Sequence, residues 1–224
     1  YNIVLTGEIT MVVMLFRTNI LALVGSDNNK DYKRCHVVIW DDHQQKAISE
    51  LKFSQNVLNL KLRKDKIIVV CLDKIYIFQF KTFQNLDIIV TGENPHGVIG
   101  VSYPIEITKI AYPDKKTGRI KIKYYEKSKE ISIVAHEKTL RNIVMTFNGD
   151  LIASASEAGT IIRIFETETG NLLQEVRRGK DKAFINCITF SENKKYIMAS
   201  SNRGTVHVWS LFTARNNLQK NNLE

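Results

Sequence analysis

Two adjacent arginines, Arg177 and Arg178, are the residues of this sequence best suited to hold an anion. A guanidinium group stays charged at neutral pH and presents a planar set of donors that matches the oxygens of a phosphate. The pair stands in the segment QEVRRGK, which ends a predicted strand. Successive side chains of a strand point to opposite faces. We therefore expect two separate phosphate pockets, with Gly179 letting the chain turn away after the pair.

Polar residues of the neighbouring segments supply each arginine with partners. The first predicted set is Arg177, His136, Ser156, Thr160 and Arg163, and the second is Arg178, Ser200, Ser201, Thr205 and His207. Hydroxyl groups add neutral donors, and a histidine gains positive charge when an anion lies nearby. When the strands that end in Phe165 and Trp209 are aligned, Arg163 and His207 occupy the same position. No carboxylate belongs to either set, which favours anion binding.

Each of these residues also has a simpler structural interpretation. Adjacent arginines on a surface strand are most often solvated charges, and two serines after a strand often form a turn. His207 within an apolar strand is typical of a hydrogen-bonded structural histidine, and His136 could tie a turn between two repeats. The joint placement of the two sets on adjacent repeats favours phosphate binding over these interpretations.

The elements that carry the two sets belong to a repeat of about 40 residues. Short segments rich in β-branched residues end in an aromatic residue at Trp40, Phe78, Tyr124, Phe165 and Trp209, at intervals of 38, 46, 41 and 44 residues. Within each repeat, short apolar runs of strand length alternate with turn signals. This pattern is typical of a β-propeller, in which small sheets stack around an axis and bury one another's faces.

The predicted fold class is all-β, a WD-repeat-like propeller of which this chain covers about five blades. The predicted blades are residues 1–54, 55–91, 92–136, 137–179 and 180–212, forming one partial domain, and residues 213–224 begin a polar loop or tail. Propellers usually close with more blades, and the last unit stops after its third strand. The chain is therefore expected to be incomplete at both ends.

Composition limits the choice of partner without deciding it. The net charge of +9 over 224 residues favours an anionic partner, which could be nucleic acid, an acidic protein or a membrane surface. No basic stripe interleaved with aromatic residues is present, so nucleic acid is not expected. The apolar stretch from Met11 to Gly25 is interrupted by Arg17, Thr18 and Asn19, and it is too short to cross a bilayer as a helix.

The residue pattern gives little indication of any chemistry other than anion binding. Cys35, Cys71 and Cys187 are far apart and each stands in an apolar stretch, so they are predicted to be buried free thiols. No metal-ligand spacing, phosphate-binding glycine loop or nucleophile with an adjacent base is present. Neither an enzyme nor a cofactor is expected.

The segments AHEKTLRNIVMTFNGDLIASASEAGTIIRIFETETGNLLQEVRRG and SSNRGTVHVWSL resemble the PROPPIN family, also called WIPI proteins. The resemblance covers nearly the whole chain, as blades two to six of a seven-bladed propeller. It implies a non-enzymatic protein that binds phosphatidylinositol 3-phosphate and phosphatidylinositol 3,5-bisphosphate at two sites, with one arginine of the RRG motif in each. It also implies a cytoplasmic, monomeric protein of autophagy that is recruited to autophagosomal, endosomal or vacuolar membranes. Autophagy proteins, such as a lipid-transfer partner, are the protein partners that it implies.

Three departures from the family pattern accompany the resemblance. Val176 stands where the family commonly has Phe or Leu, and Ala158 stands where it often has Lys, so the first site is expected to lose one positive contact. The family also inserts an apolar loop of blade six into the bilayer. Here the corresponding segment, TARNNLQKNNLE, is polar, so this element is expected to be absent. The alternative function is a WD-repeat scaffold for protein–protein interaction that binds no lipid.

Overall fold

A computed structural model describes residues 7–211, whose regular secondary structure consists of β-strands arranged in five antiparallel sheets. Sheet 1 contains β1 (Ile9–Met14), β2 (Ile20–Gly25), β3 (His36–Asp41) and β4 (Lys46–Lys52). Sheet 2 contains β5 (Asn59–Leu62), β6 (Lys66–Val70), β7 (Lys74–Gln79) and β8 (Asn85–Val90). Sheet 3 contains β9 (Gly100–Val101), β10 (Lys109–Pro113), β11 (Arg119–Tyr124) and β12 (Lys129–Val134). Sheet 4 contains β13 (Leu140–Met145), β14 (Leu151–Ser156), β15 (Ile161–Glu166) and β16 (Leu172–Arg177), and sheet 5 contains β17 (Ile185–Phe190), β18 (Tyr196–Ser201) and β19 (Val206–Ser210).

Every sheet is a meander in which each strand pairs with the next strand of the chain. Four sheets have four strands, and sheet 5 has three among the described residues. The prediction of an all-β fold built from repeated small sheets is confirmed. Each sheet lies within one of the five segments that the repeat delimits. The predicted polar tail, residues 213–224, lies outside the described residues.

Contacts between residues divide the chain after Gly97 into two compact units. The first unit holds sheets 1 and 2, whose shared core includes Val37, Ile39, Leu60 and Ile67. The second unit holds sheets 3, 4 and 5. One apolar cluster joins sheets 3 and 4, and another joins sheets 4 and 5, so both faces of sheet 4 are covered.

Burial within sheet 4 follows from this stacking. All but the first residue of β14, LIASAS, are buried, because a central strand between two covered faces meets neighbours on both sides. Its alanines and serines are small enough for the neighbouring sheets to approach closely. In β16, the outermost strand, only Val176 is buried. Polar side chains can therefore lie at the end of β16, where the chain leaves the sheet, without being buried.

A hydroxyl-capped hairpin recurs after the innermost strand of each sheet in the second unit. The side-chain oxygen of Ser102 accepts the backbone N–H of Lys109 at 2.8 Å. In sheet 4 the oxygen of Thr146 accepts the N–H of Leu151 at 3.1 Å, and in sheet 5 that of Ser191 accepts the N–H of Tyr196 at 2.9 Å. These local bonds satisfy backbone donors at the connection between the first two strands. The same kind of hydrogen bond therefore recurs in each sheet of the second unit, together with the hydrophobic pattern.

Gly159, in the turn between β14 and β15, fixes how closely sheet 4 meets the link to sheet 5. Its φ is +61°, a left-handed conformation that side chains rarely adopt, and a Cβ there would lie 1.7 Å from the carbonyl oxygen of Ala183. Only glycine can occupy this position without displacing the link. The contact positions the segment that follows the arginine pair.

The prediction of three buried thiols is wrong for two of them. Cys71 is buried, and its burial raises the pKa of the thiol to about 11. Cys35 is only half-buried and Cys187 is exposed, although both are free. Cys187 pairs with Ser200 of β18, after a register shift in β17 that separates it from buried Ile185. An apolar stretch therefore does not fix the face on which each of its residues lies.

The apolar stretch from Met11 to Gly25 lies in β1, β2 and the turn between them in sheet 1. Among residues 7–211 no helix has the length and hydropathy required to cross a bilayer.

Candidate anion-binding edge

The two arginines lie at one edge of sheet 4, where β16 ends. Arg177 is the last residue of β16 and pairs with Ile161, the first residue of β15. The backbone N–H of Arg178 then donates to the carbonyl oxygen of Thr160 at 2.8 Å, which extends the pairing by one residue. The extended backbone therefore continues through the pair, and the two side chains leave it on opposite faces.

The contacts of the preceding residues identify these faces. Val176 packs in the apolar cluster that sheet 4 shares with sheet 5. Glu175 lies opposite Arg163, whose Nη1 donates to the carbonyl oxygen of Ala135 at 2.6 Å, just after the last strand of sheet 3. By alternation, Arg177 shares the face of Glu175, toward sheet 3, and Arg178 shares the face of Val176, toward sheet 5. Both faces belong to the second unit.

His136 and Ser156 lie on the side of sheet 4 that faces sheet 3. The imidazole Nε2 of His136 is 3.0 Å from the hydroxyl of Ser154, and Ser156 lies two residues further along the same face of β14. His136 is only 8% exposed. Its burial, and next the positive charge of Arg163, lower the pKa of this histidine from 6.5 to about 4. The imidazole is therefore neutral at pH 7, and an approaching anion would favour its protonation.

A carboxylate lies beside the first set, although none belongs to it in the sequence. The Nε of Arg163 donates to the carboxylate of Glu175 at 2.8 Å, and both side chains are partly exposed. The two residues are far apart in sequence but directly opposite in the register of β15 and β16. A negative charge therefore lies beside the first set, and Arg163 has two acceptors within the protein.

Arg177 differs from Arg163 in having no partner of its own. It is exposed, and among residues 7–211 no side chain or carbonyl forms a hydrogen bond or ion pair with its guanidinium group. Thr160, in the turn before β15, uses its carbonyl oxygen for the N–H of Arg178. The first set thus combines one free guanidinium with one that is already paired.

Arg178 is half-buried and bound to backbone carbonyls. Its Nε donates to the carbonyl oxygen of Gly159 at 2.7 Å, and its Nη2 donates to that of Asp181. Arg203, in the turn between β18 and β19, donates from Nη2 to the carbonyl oxygen of Lys182 at 3.3 Å. Two guanidinium groups therefore contact adjacent carbonyls of the same link, and Arg178 holds that link against sheet 4.

The structure places three of the other four residues of the second set on the side of sheet 5 that faces sheet 4. Thr205 Oγ1 is 3.1 Å from His207 Nε2, and the imidazole stacks on Trp209 with ring centroids 5.5 Å apart. Ser201 is buried, and its hydroxyl accepts the N–H of Arg203 at 3.4 Å. Ser200 is not brought together with them, because it pairs with exposed Val206 on the opposite face.

The predicted equivalence of Arg163 and His207 agrees with the strand register. Arg163 pairs with Ser154 two positions before Phe165 pairs with Ile152, and His207 pairs with Ala199 two positions before Trp209 pairs with Ile197. By the same register Ser156 corresponds to Ser201, and both are buried at the edge that bears the arginines.

Sequence reasoning omitted three residues of this edge and assigned the wrong role to Gly179. Ser154, Glu175 and Arg203 were absent from the predicted sets. Only Arg203 could have been found from the sequence, because it occupies the same position in its repeat as Ala158 does one blade earlier, where the family often has Lys. The role expected of Gly179 is wrong, because its φ lies outside the left-handed region and a Cβ there would have no heavy atom within 4 Å. Its link can turn without a glycine.

The sheets and the site together define part of a β-propeller with cationic and hydroxyl groups at one edge of two consecutive blades. The PROPPIN family model matches residues 6–222, and this chain belongs to the PROPPIN family. Autophagy-related protein 18e of Arabidopsis thaliana is 36% identical over 199 residues, which are 88% of this chain and 53% of that protein. SVP1-like protein 2 of Neurospora crassa is 36% identical over 204 residues, which are 91% of this chain and 47% of that protein.

Solved structures agree with the fold. The structure of Kluyveromyces lactis Hsv2 matches with a TM-score of 0.77 and 25% identity, covering 95% of this chain and 65% of that one. A complex of KlAtg21 with the coiled coil of AgAtg16 matches with a TM-score of 0.76; at 23% identity it shows the fold alone. The chain spans about half the length of the curated relatives named above.

Proposed function

We propose that the protein is a non-enzymatic scaffold that binds phosphatidylinositol 3-phosphate and phosphatidylinositol 3,5-bisphosphate on membranes. The observation that carries the proposal is the divergence of Arg177 and Arg178 onto opposite faces of sheet 4, with hydroxyl and imidazole groups of one set on the side of sheet 3 and of the other set on the side of sheet 5. Family membership supports the identity of the ligand. His136, Ser156, Thr160 and Arg163 serve the Arg177 site, and Ser201, Thr205 and His207 serve the Arg178 site. Ser200 is retained only as a more distant member.

Two sites on consecutive blades make binding bivalent. The second contact on one membrane is then intramolecular, so two moderate affinities combine into stable attachment. Exposed Lys180 and Lys182 lie on the link that follows the pair. Each basic residue near an anionic leaflet adds about 1 kcal/mol of attraction. We assign the protein to autophagy or related membrane traffic, with recruitment from the cytoplasm to autophagosomal, endosomal or vacuolar membranes.

Liposome flotation with and without 3-phosphorylated phosphoinositide tests this proposal. The double variant Arg177→Ala plus Arg178→Ala is expected to lose most lipid-dependent flotation. The matched control is Lys30→Ala plus Lys33→Ala, which removes the same charge from exposed positions of the first unit. Unchanged flotation of the arginine variant, or equal losses in both variants, would show that the pair is not a binding site.

The second candidate function is a scaffold for autophagy proteins, such as a lipid-transfer partner, without lipid binding. KlAtg21, which shares this fold, was solved in complex with the coiled coil of AgAtg16, so a protein of this fold can bind another protein. Under this alternative the double arginine variant keeps its activity, and soluble inositol phosphates do not compete with the partner.

A further inference from the structure

A cavity of about 580 Å³ opens at the edge of sheets 4 and 5 that lies opposite the arginine pair. It is formed where the innermost strands β13 and β17 end, and its walls include Val144, Met145 and Phe190. Val144 and Phe190 also pack on the apolar cluster between the two sheets. The cavity is therefore a continuation of the inter-sheet core that reaches solvent.

The rim of the cavity carries an exposed aromatic surface. Phe147 lines the cavity and is 63% exposed, which is unusual for an aromatic side chain of this size. Its ring stacks on Tyr103, with centroids 5.5 Å apart and planes 17° apart, and its carbonyl oxygen accepts the N–H of Tyr103. The exposed ring is thus held in place and presents a rigid apolar surface beside the opening.

The hydroxyl groups around the cavity are already occupied by local bonds. Thr146 uses its hydroxyl for Asp150 and for the backbone of Leu151, and Ser191 uses its hydroxyl for the backbone of Tyr196. Within the described part of the chain, no set of free donors and acceptors converges there of the kind that orients a small polar ligand. The interior of the cavity can therefore contact a ligand through apolar groups.

The charges at the opening are unequal. Lys194 forms an ion pair with Asp150 across the two sheets. It adopts a φ of +56°, a conformation that Gly149 occupies at the equivalent place in sheet 4. Glu192, which also lines the cavity, is exposed and has no hydrogen bond or ion pair within residues 7–211, so the opening carries uncompensated negative charge.

We propose that this cavity is a docking site for a protein segment that inserts an aliphatic or aromatic side chain next to a lysine or arginine. The inserted side chain fills the apolar interior and packs on Phe147, and the basic residue pairs with Glu192. The chemistry is opposite in sign to that of the arginine edge, so the two edges bind different partners. This inference goes beyond the proposed lipid binding and does not depend on it.

Fluorescence anisotropy with a fixed panel of labelled peptides tests the proposal. Each peptide has a Gly-Ser backbone with a central Trp or Leu, flanked by Lys, by Glu or by Ser. The Lys-flanked peptides are expected to bind saturably and at least fivefold more tightly than the Glu-flanked ones. Glu192→Lys is expected to weaken their binding about fivefold and Phe147→Ala about tenfold, because one loses an ion pair and the other loses apolar contact.

Matched controls separate docking from general effects of charge and folding. Glu8→Lys makes the same charge change at an exposed carboxylate of the first unit, and Leu86→Ala removes an exposed apolar side chain there. Both controls, and the double arginine variant, are expected to bind the peptides as the unaltered protein does. The proposal is overturned by absence of saturable binding, by equal binding of Glu-flanked peptides, or by variants at Glu192 and Phe147 that bind normally. Loss of vesicle binding on Phe147→Ala with unchanged peptide binding would identify a membrane contact instead.

Discussion

Arg177 and Arg178 are expected to contribute differently to stability, although both belong to the proposed lipid-binding sites. Arg178 is half-buried and donates to the carbonyl oxygens of Gly159 and Asp181, which hold the link between sheets 4 and 5. Arg177 is exposed and has no polar partner among residues 7–211. Replacing the two arginines singly by alanine therefore separates a structural contribution from a contribution to binding.

The size of the effect follows from the bonds that are lost. A hydrogen bond from a charged donor contributes about 1.5–3 kcal/mol when buried, and partial exposure of Arg178 reduces this. For its two bonds together we expect Arg178→Ala to lower the free energy of unfolding by about 2 kcal/mol. Surface substitutions without such contacts usually change it by less than about 0.5 kcal/mol, which is the expectation for Arg177→Ala.

Urea unfolding monitored by tryptophan fluorescence measures the difference, since Trp209 lies in sheet 5, the sheet to which the link held by Arg178 leads. Liposome flotation of the same two variants measures binding, and both are expected to float less. Equal unfolding free energies for the two variants would refute the assignment of Arg178 as the residue that fixes the link. A large loss of stability in Arg177→Ala would contradict its description as a free cation.

Three further predictions concern the same edge. The pKa of His136 is about 4 in the folded protein and 6.5 when unfolded, so its contribution to stability is fully present above pH 6.5 and is lost as pH falls toward 4, by roughly 3 kcal/mol. Urea unfolding between pH 7 and pH 4.5 is expected to show a weaker pH dependence in His136→Gln. Glu175→Gln is expected to tighten flotation on 3-phosphorylated lipid several-fold, because it removes the carboxylate beside Arg163, and weaker flotation would show that Glu175 instead orients the arginine. Gly179→Ala is expected to change the unfolding free energy by less than about 0.5 kcal/mol in the same urea assay, since a Cβ there meets no atom.

The repeat of aromatic-ended segments was sufficient to predict the fold class. Strand length, turn residues and a period of about 40 residues are local properties, and the five sheets occur where that period indicates. Strand alternation also predicted that the arginine pair would diverge, since it requires only that the backbone be extended. The alignment of Arg163 with His207 needed no tertiary information either.

The tertiary structure alone determined which charged and polar groups pair with one another. Glu175 meets Arg163 only because β15 and β16 pair in one particular register, and His136 meets Ser154 only because sheet 3 stacks on sheet 4. The carbonyl oxygens that hold Arg178 belong to a turn and a link that no side-chain pattern marks. The sequence by itself determined the repeat, the strands and the two directions of the arginine pair, because these depend on neighbours along the chain. Burial, pairing and the pKa of His136 depend on residues brought together from different sheets, so only the folded protein determined them.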